Sequence, residues 1–166
     1  MLFLALFFVK FSFAQNVTLI DTANIEFRKS LKDFYINKST ETFLYFKNIE
    51  DKKVRKELEA ICKENKTDFL EKIEKGVFIV DEKYSQLVDM IFKTIKTANP
   101  QIGDIKFLFA LGDEPNAYNN GEDIVVIYLK YFEKIDNEYQ LAFMICHEIA
   151  HQLLNHSKKG ILKYVE

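Results

Sequence analysis

Long stretches of the chain alternate apolar and polar positions at helical spacing, and two short runs are almost wholly apolar. Residues 51–74, DKKVRKELEAICKENKTDFLEKIE, set Val54, Leu58, Ile61, Phe69, Leu70 and Ile73 on a helical repeat. The charges between them are mixed in sign, as on the solvated face of a surface helix. Gly76 ends that pattern. Residues 84–97, YSQLVDMIFKTIKT, repeat it more cleanly, with Leu87, Val88, Ile91, Phe92 and Ile95 as the inward stripe. Asn99-Pro100 then stops the helix. The two apolar runs, KFLFAL at 106–111 and IVVIYL at 124–129, are short and bounded by turn residues, so they predict buried strands. Gly112–Asn116 and Asn119-Asn120-Gly121 supply the turns. The strands pair as a hairpin or lie as neighbours in a small sheet. FLYF, residues 43–46, fits a strand or an aromatic helical turn equally.

A last helix is predicted from Glu138 to His156, with Asp136 or Asn137 as its cap. Between Leu141 and Leu154 it is apolar on almost every side, which predicts a helix buried in the core. The fold class is therefore α+β. It is mostly helical, with a small β-sheet (a hairpin or an edge strand) packed on this buried helix.

The 166 residues suffice for one domain with a true core, and an apolar fraction of 48% excludes general disorder. A net charge of −2 gives no electrostatic pull toward nucleic acid or an anionic membrane, and neither is expected as a partner. The opening MLFLALFFVKFSFAQ reads as a signal peptide over residues 1–14, cut before Gln15. Its apolar run is well short of the roughly 20 residues that span a bilayer. Export to the periplasm or the medium follows, with a membrane anchor as the alternative if the segment stays uncut. Cys62 and Cys146 are the two cysteines, and two isolated cysteines form no disulfide framework. Both are expected as free thiols, with Cys146 buried in its apolar run.

All three histidines fall within FMICHEIAHQLLNH, residues 143–156. His147 and His151 are four apart, so on a helix both imidazoles lie on one face, a turn apart. Two nitrogens so placed reach one Zn²⁺ at about 2.0–2.1 Å. Glu148 lies about 100° further round, within reach of the metal's water, as the general base of an H-E-x-x-H arrangement. The chemistry requires these types, because water is a poor nucleophile and a peptide carbonyl a poor electrophile. Burying three such polar groups without a function costs several kcal/mol, of order 2–7 for each unpaired one. His156 lies roughly 180° from His147 on an unbroken helix, which removes it as a third ligand and leaves it as a C-terminal histidine favoured by the helix dipole.

The segment Pro115–Ser157 resembles the gluzincin-type metallopeptidase family forty-eight, whose members include the CAAX prenyl proteases, HtpX and periplasmic quality-control peptidases. Pro115-Asn116-Ala117-Tyr118, the strand from Ile124, the lead from Asn137-Glu138 into H-E-I-A-H, and His156-Ser157 carry the resemblance. It implies a zinc endopeptidase holding one Zn²⁺ per chain, with His147 and His151 as ligands and Glu148 as catalyst. Its substrates would be proteins or peptides of the cell envelope. It implies too that the strand Ile124–Tyr128 pairs with the substrate backbone. The family's third ligand is a glutamate on a later helix, and Glu166 stands too near to be that residue. The expected organisation is a signal peptide at 1–14, a helical N-terminal region at 15–80, and a metallopeptidase core at 81–166 that breaks off before its third ligand. Such a chain would be weak or inactive as it stands. The competing reading is a non-catalytic exported interaction or quality-control module with an incomplete metal site.

Overall fold

The computed structural model describes residues 25–165; the signal segment expected at 1–14 and Glu166 lie outside the described residues. Helices α1 (Ile25–Lys47) and α2 (Lys52–Glu74) run antiparallel, tied by the Lys32–Glu74 ion pair at one end and by Tyr35 donating to the Asn65 carbonyl further along. Asp51 caps α2 by accepting from the backbone N–H groups of Lys53 and Val54. The ambiguous FLYF is the last full turn of α1, and Phe46 closes a buried stripe of Leu31, Tyr35, Ser39 and Thr42. Two of those positions are polar, which hides the stripe from hydrophobic patterning.

The sheet holds four strands in the order β1-β2-β4-β3. They are β1 (Phe78–Ile79), β2 (Lys106–Ala110), β3 (Ala117–Asn119) and β4 (Ile124–Tyr128). The two strongly apolar runs are parallel neighbours, Lys106 opposite Ile124 through Ala110 opposite Tyr128. The hairpin is instead β3 with β4, antiparallel, with Tyr118 opposite Val126. β1 and β3 are two and three residues long, too short to leave a periodic trace in the sequence.

Side chains alternate across the sheet and divide the core in two. Phe78, Leu108, Ala110, Ile124 and Val126 meet Leu31, Tyr35, Phe69 and Ile73 of the α1–α2 pair. Ile79, Phe109, Val125 and Ile127 face the other way, onto helices α3 (Glu82–Ala98) and α4 (Glu138–Leu153). A central strand covered on both faces reads as a continuous apolar run, which accounts for IVVI. After β4 a 3₁₀ turn (Leu129–Glu133) sends Phe132 into the second core, where its ring lies 4.1 Å from that of Tyr84 on α3.

Two expectations about the last helix are corrected. It does not run to His156: α4 ends at Leu153, and α5 (His156–Val165) starts after a break at Asn155, whose φ is +54°. Nor is it buried all round. Leu141, Met144, Ile145, Glu148 and Ile149 face the sheet, while Tyr139, Phe143, Leu153 and Leu154 are exposed. A helix resting on one sheet buries one side only, and the outer side of α4 is left open along Tyr139, Phe143, Cys146 and Leu153.

Candidate functional site

α4 brings the predicted residues together. Asn137 starts it, accepting from the N–H groups of Tyr139 and Gln140, and Leu141, Met144, Ile145 and Ile149 fix its rotation against the sheet. That rotation turns Glu148 inward, to 7% exposure, and leaves His147 on the open flank and His151 half-buried. The two imidazoles converge: their Nε2 atoms are 3.0 Å apart and the ring planes cross at 75°. Two ligands of a tetrahedral ion with bonds of about 2.0–2.1 Å stand about 3.3 Å apart. The pair is therefore set almost as a zinc ion needs it. Among the described residues no third His, Cys, Asp or Glu completes a metal-binding group with them.

Glu148 is held through its backbone, its carbonyl accepting from Asn119 Nδ2 at 3.3 Å. Among the described residues no hydrogen bond ties its carboxylate, and neither oxygen is sealed from solvent. Glu148 is thus the buried acidic residue next in sequence to the histidine pair on α4. Its charge reaches Tyr131, whose phenol is held above its usual range by burial and, secondarily, by Glu148.

The left-handed Asn155 turns the chain back, so His156 does not project away from the pair as an unbroken helix would require. Its Nδ1 lies 2.8 Å from His151 Nδ1. The interruption has few marks in the sequence, since Leu154 and Asn155 both tolerate a helix. Asparagine's enrichment in the left-handed region is the one available signal.

A second feature escapes sequence reasoning altogether. The turn Asn119–Asp123 gathers α1, α4 and α5 around the β3–β4 hairpin. Asn119 reaches Glu148; Glu122 Oε2 accepts from Thr42 of α1 at 2.7 Å; Asp123 pairs with Lys38 of α1 at 2.8 Å and accepts from Gln152 of α4 at 2.6 Å. Gly121 has φ +84°, and a Cβ there would stand 2.7 Å from Ser157 Cβ at the start of α5. The polar sequence of this turn reflects its role as a clasp between α1 and the end of the histidine-bearing helix. A cavity of about 170 Å³ lies behind it, lined by Tyr35, Thr42, Cys62, Tyr118 and Glu122 among others. Burial there pushes the Cys62 thiol up to about 11, the Tyr118 phenol to about 12 and the Glu122 carboxyl to about 7.

The Glu122 shift has a measurable consequence. A carboxyl that titrates near 4.5 unfolded and near 7 folded holds its proton more tightly in the folded state. The stability that this one group contributes is full below about pH 4.5 and is lost as pH rises to about 7, where the folded protein must also ionise. Glu122→Gln keeps an acceptor for Thr42 and removes the charge. It is expected to raise stability at pH 8 by about 1–3 kcal/mol and to flatten the decline across that window. Urea unfolding at pH 5 and pH 8 checks this; an unchanged slope in the variant would assign the pH dependence elsewhere.

The strand expected to pair with substrate is also corrected. β4 is bonded to β2 on one side and β3 on the other, so Ile124–Tyr128 has no free edge. The edge is β3. Asn116 and Asn120 bond to Tyr128 and Ile124, so Ala117 and Asn119 turn their backbone groups away from β4. The cysteines are free, as expected, but Cys146 is exposed rather than buried, because it falls on the open face of α4.

Among the described residues no helix is long and apolar enough to cross a membrane. No curated protein and no solved structure matches the chain. The family model described as Peptidase family M48 matches residues 82–165, from the first residue of α3 through the last described residue of α5. α1, α2 and β1 lie outside the matched segment. The match takes in 84 of the 166 residues, and the chain accordingly belongs to Peptidase family M48, a family of metallopeptidases.

Proposed function

We propose that this protein is a zinc-dependent endopeptidase that hydrolyses peptide bonds of envelope proteins. The observation that carries the reading is the convergence of His147 and His151, 3.0 Å apart at Nε2, beside the untethered Glu148 carboxylate. His147 and His151 offer those Nε2 lone pairs as metal ligands. A third ligand, a glutamate outside residues 25–165, is part of the proposal. Zinc, when bound, supplies an acidified water and a polarised carbonyl. Glu148 takes the proton of the attacking water and passes it to the departing amine. Substrate adds to the sheet beyond β3, where Asn119 and the Ala117 carbonyl offer main-chain hydrogen bonds that accept any sequence, the Ala117 N–H being taken by Asn116 Oδ1 at 2.9 Å. Exposed Tyr139 and Phe143 lie further toward the N-terminus of the same helix.

The test is cleavage of an unfolded protein by the protein as its natural gene encodes it. A chelator is expected to stop cleavage and added zinc to restore it; cleavage that persists in chelator overturns the reading. Export is tested at the same time, because the mature N-terminus is expected at Gln15.

A second reading has one observation in its favour, the lack of a third metal-binding side chain among the described residues. On it the chain is an exported interaction or quality-control module without hydrolysis. Stable capture of unfolded protein that is never cleaved, with or without zinc, would decide for it.

A further inference from the structure

We propose that His156 is a positioning residue for His151. It accepts the proton of His151 Nδ1, and so fixes the tautomer that leaves His151 Nε2 bare toward His147. The proposal rests on the zinc reading above and extends it to a residue that is not itself a ligand. The geometry is a relay of three rings. His151 uses Nε2 toward His147 at 3.0 Å and Nδ1 toward His156 at 2.8 Å. Successive ring planes cross at 75° and 74°, and successive centroids lie 4.7 and 4.8 Å apart.

A neutral imidazole carries one N–H and one lone pair. If His151 presents its lone pair at Nε2, its proton is at Nδ1 and needs an acceptor. Among the described residues the one partner placed there is His156 Nδ1. That nitrogen must then be bare, and the His156 proton sits on Nε2, in solvent, where the exposed ring needs no protein partner. His156 cannot also ligate at the same point, because it addresses the far nitrogen of His151.

The chain goes to some length to place this ring. On a continuous helix five residues turn 500°, which carries a side chain about 140° round from His151. Asn155 in the left-handed region breaks the helix, and α5 restarts at His156 itself. Gly121 packs against Ser157, the next residue, and holds the start of α5 to the sheet turn. Metal-binding imidazoles ordinarily give this proton to a carboxylate, a carbonyl or water, and loss of such a partner costs about 10–100-fold in metal affinity.

The experiment measures Zn²⁺ affinity by competition with a chromophoric chelator, and the Co²⁺ ligand-field spectrum, on the 166-residue chain and its variants. His156→Ala is expected to weaken Zn²⁺ binding about 10–100-fold and to shift the Co²⁺ bands without loss of a nitrogen ligand. His156→Asn, which supplies an acceptor oxygen, is expected to recover part of the loss. Nitrogen NMR is expected to find His151 protonated at Nδ1 in the parent chain. Three results overturn the proposal: His156→Ala binding zinc within twofold of the parent, His151 protonated at Nε2, or a Co²⁺ spectrum that drops one nitrogen as it does in His147→Ala. Failure of the zinc reading itself looks different, since zinc affinity would then be unchanged in His147→Ala and His151→Ala. His156 is exposed, so its loss leaves the core intact, and circular dichroism checks that the variants fold.

Discussion

Glu148→Gln is expected to lower kcat by about 10²–10⁴-fold while zinc stays bound, in the protein as its natural gene encodes it. The amide has the shape of the carboxylate but cannot take a proton from water. His147 and His151 lie on the neighbouring flank of α4, so the substitution leaves their convergence untouched. Glu148 is 7% exposed and, among the described residues, carries no ion pair, so exchanging its charge for a neutral group removes no partner. The variant should therefore fold at least as stably as the parent, which separates lost chemistry from lost structure. Single-turnover cleavage with zinc content and melting temperature measured on the same sample checks all three. A kcat within threefold of the parent would remove Glu148 from its role as general base.

The largest stability effect is expected at Ile145, which is fully buried on α4 one turn before Glu148 and belongs to the core with Phe109, Val125, Ile127 and Phe132. Ile145→Ala deletes three carbons from a packed site and should cost about 2–5 kcal/mol. That is a large fraction of the roughly 5–15 kcal/mol that holds a domain together. At about 2–4 °C per kcal/mol for this size, the melting temperature should fall by about 4–20 °C. Phe143→Ala is the control two residues away. Phe143 is 76% exposed, and its loss from the 166-residue chain should move stability by no more than about 0.5 kcal/mol. Urea unfolding of both variants reads the sidedness of α4 directly; equal losses would mean that the helix is not seated as described.

The parts of the fold that the sequence reveals are those whose burial follows a simple period. α2 and α3 have clean stripes and caps, and β2 and β4 are apolar runs bounded by turn residues. The H-E-I-A-H spacing names His147, Glu148 and His151, and the helix that carries them brings the two imidazoles together. What stays hidden is set by contacts distant in sequence. α1 is obscured because its buried stripe includes Ser39 and Thr42, and Thr42 is there to meet Glu122, eighty residues later. β1 and β3 are strands because their neighbours are strands, and two or three residues cannot announce that. The order β1-β2-β4-β3 puts β4 in the middle, and no local pattern separates a central strand from an edge one with the same composition. His156 is misplaced by a rule applied correctly to a helix that does not continue. One left-handed residue, Asn155, changes what the ring can reach.

The clasp between α1 and the turn before β4 bears on how this protein can be shortened. A fragment begun at residue 82, where the family match starts, would strip the cover from Leu108, Ala110, Ile124 and Val126, each at most 2% exposed in the intact chain. It would also cut Asp123 loose from Lys38 and leave Gln152 bonded to an unanchored loop. Such a piece would offer a bare, sticky sheet to its own copies and come out of the cell as aggregate. Whatever the first two helices do besides, soluble expression of the histidine-bearing half depends on their staying attached.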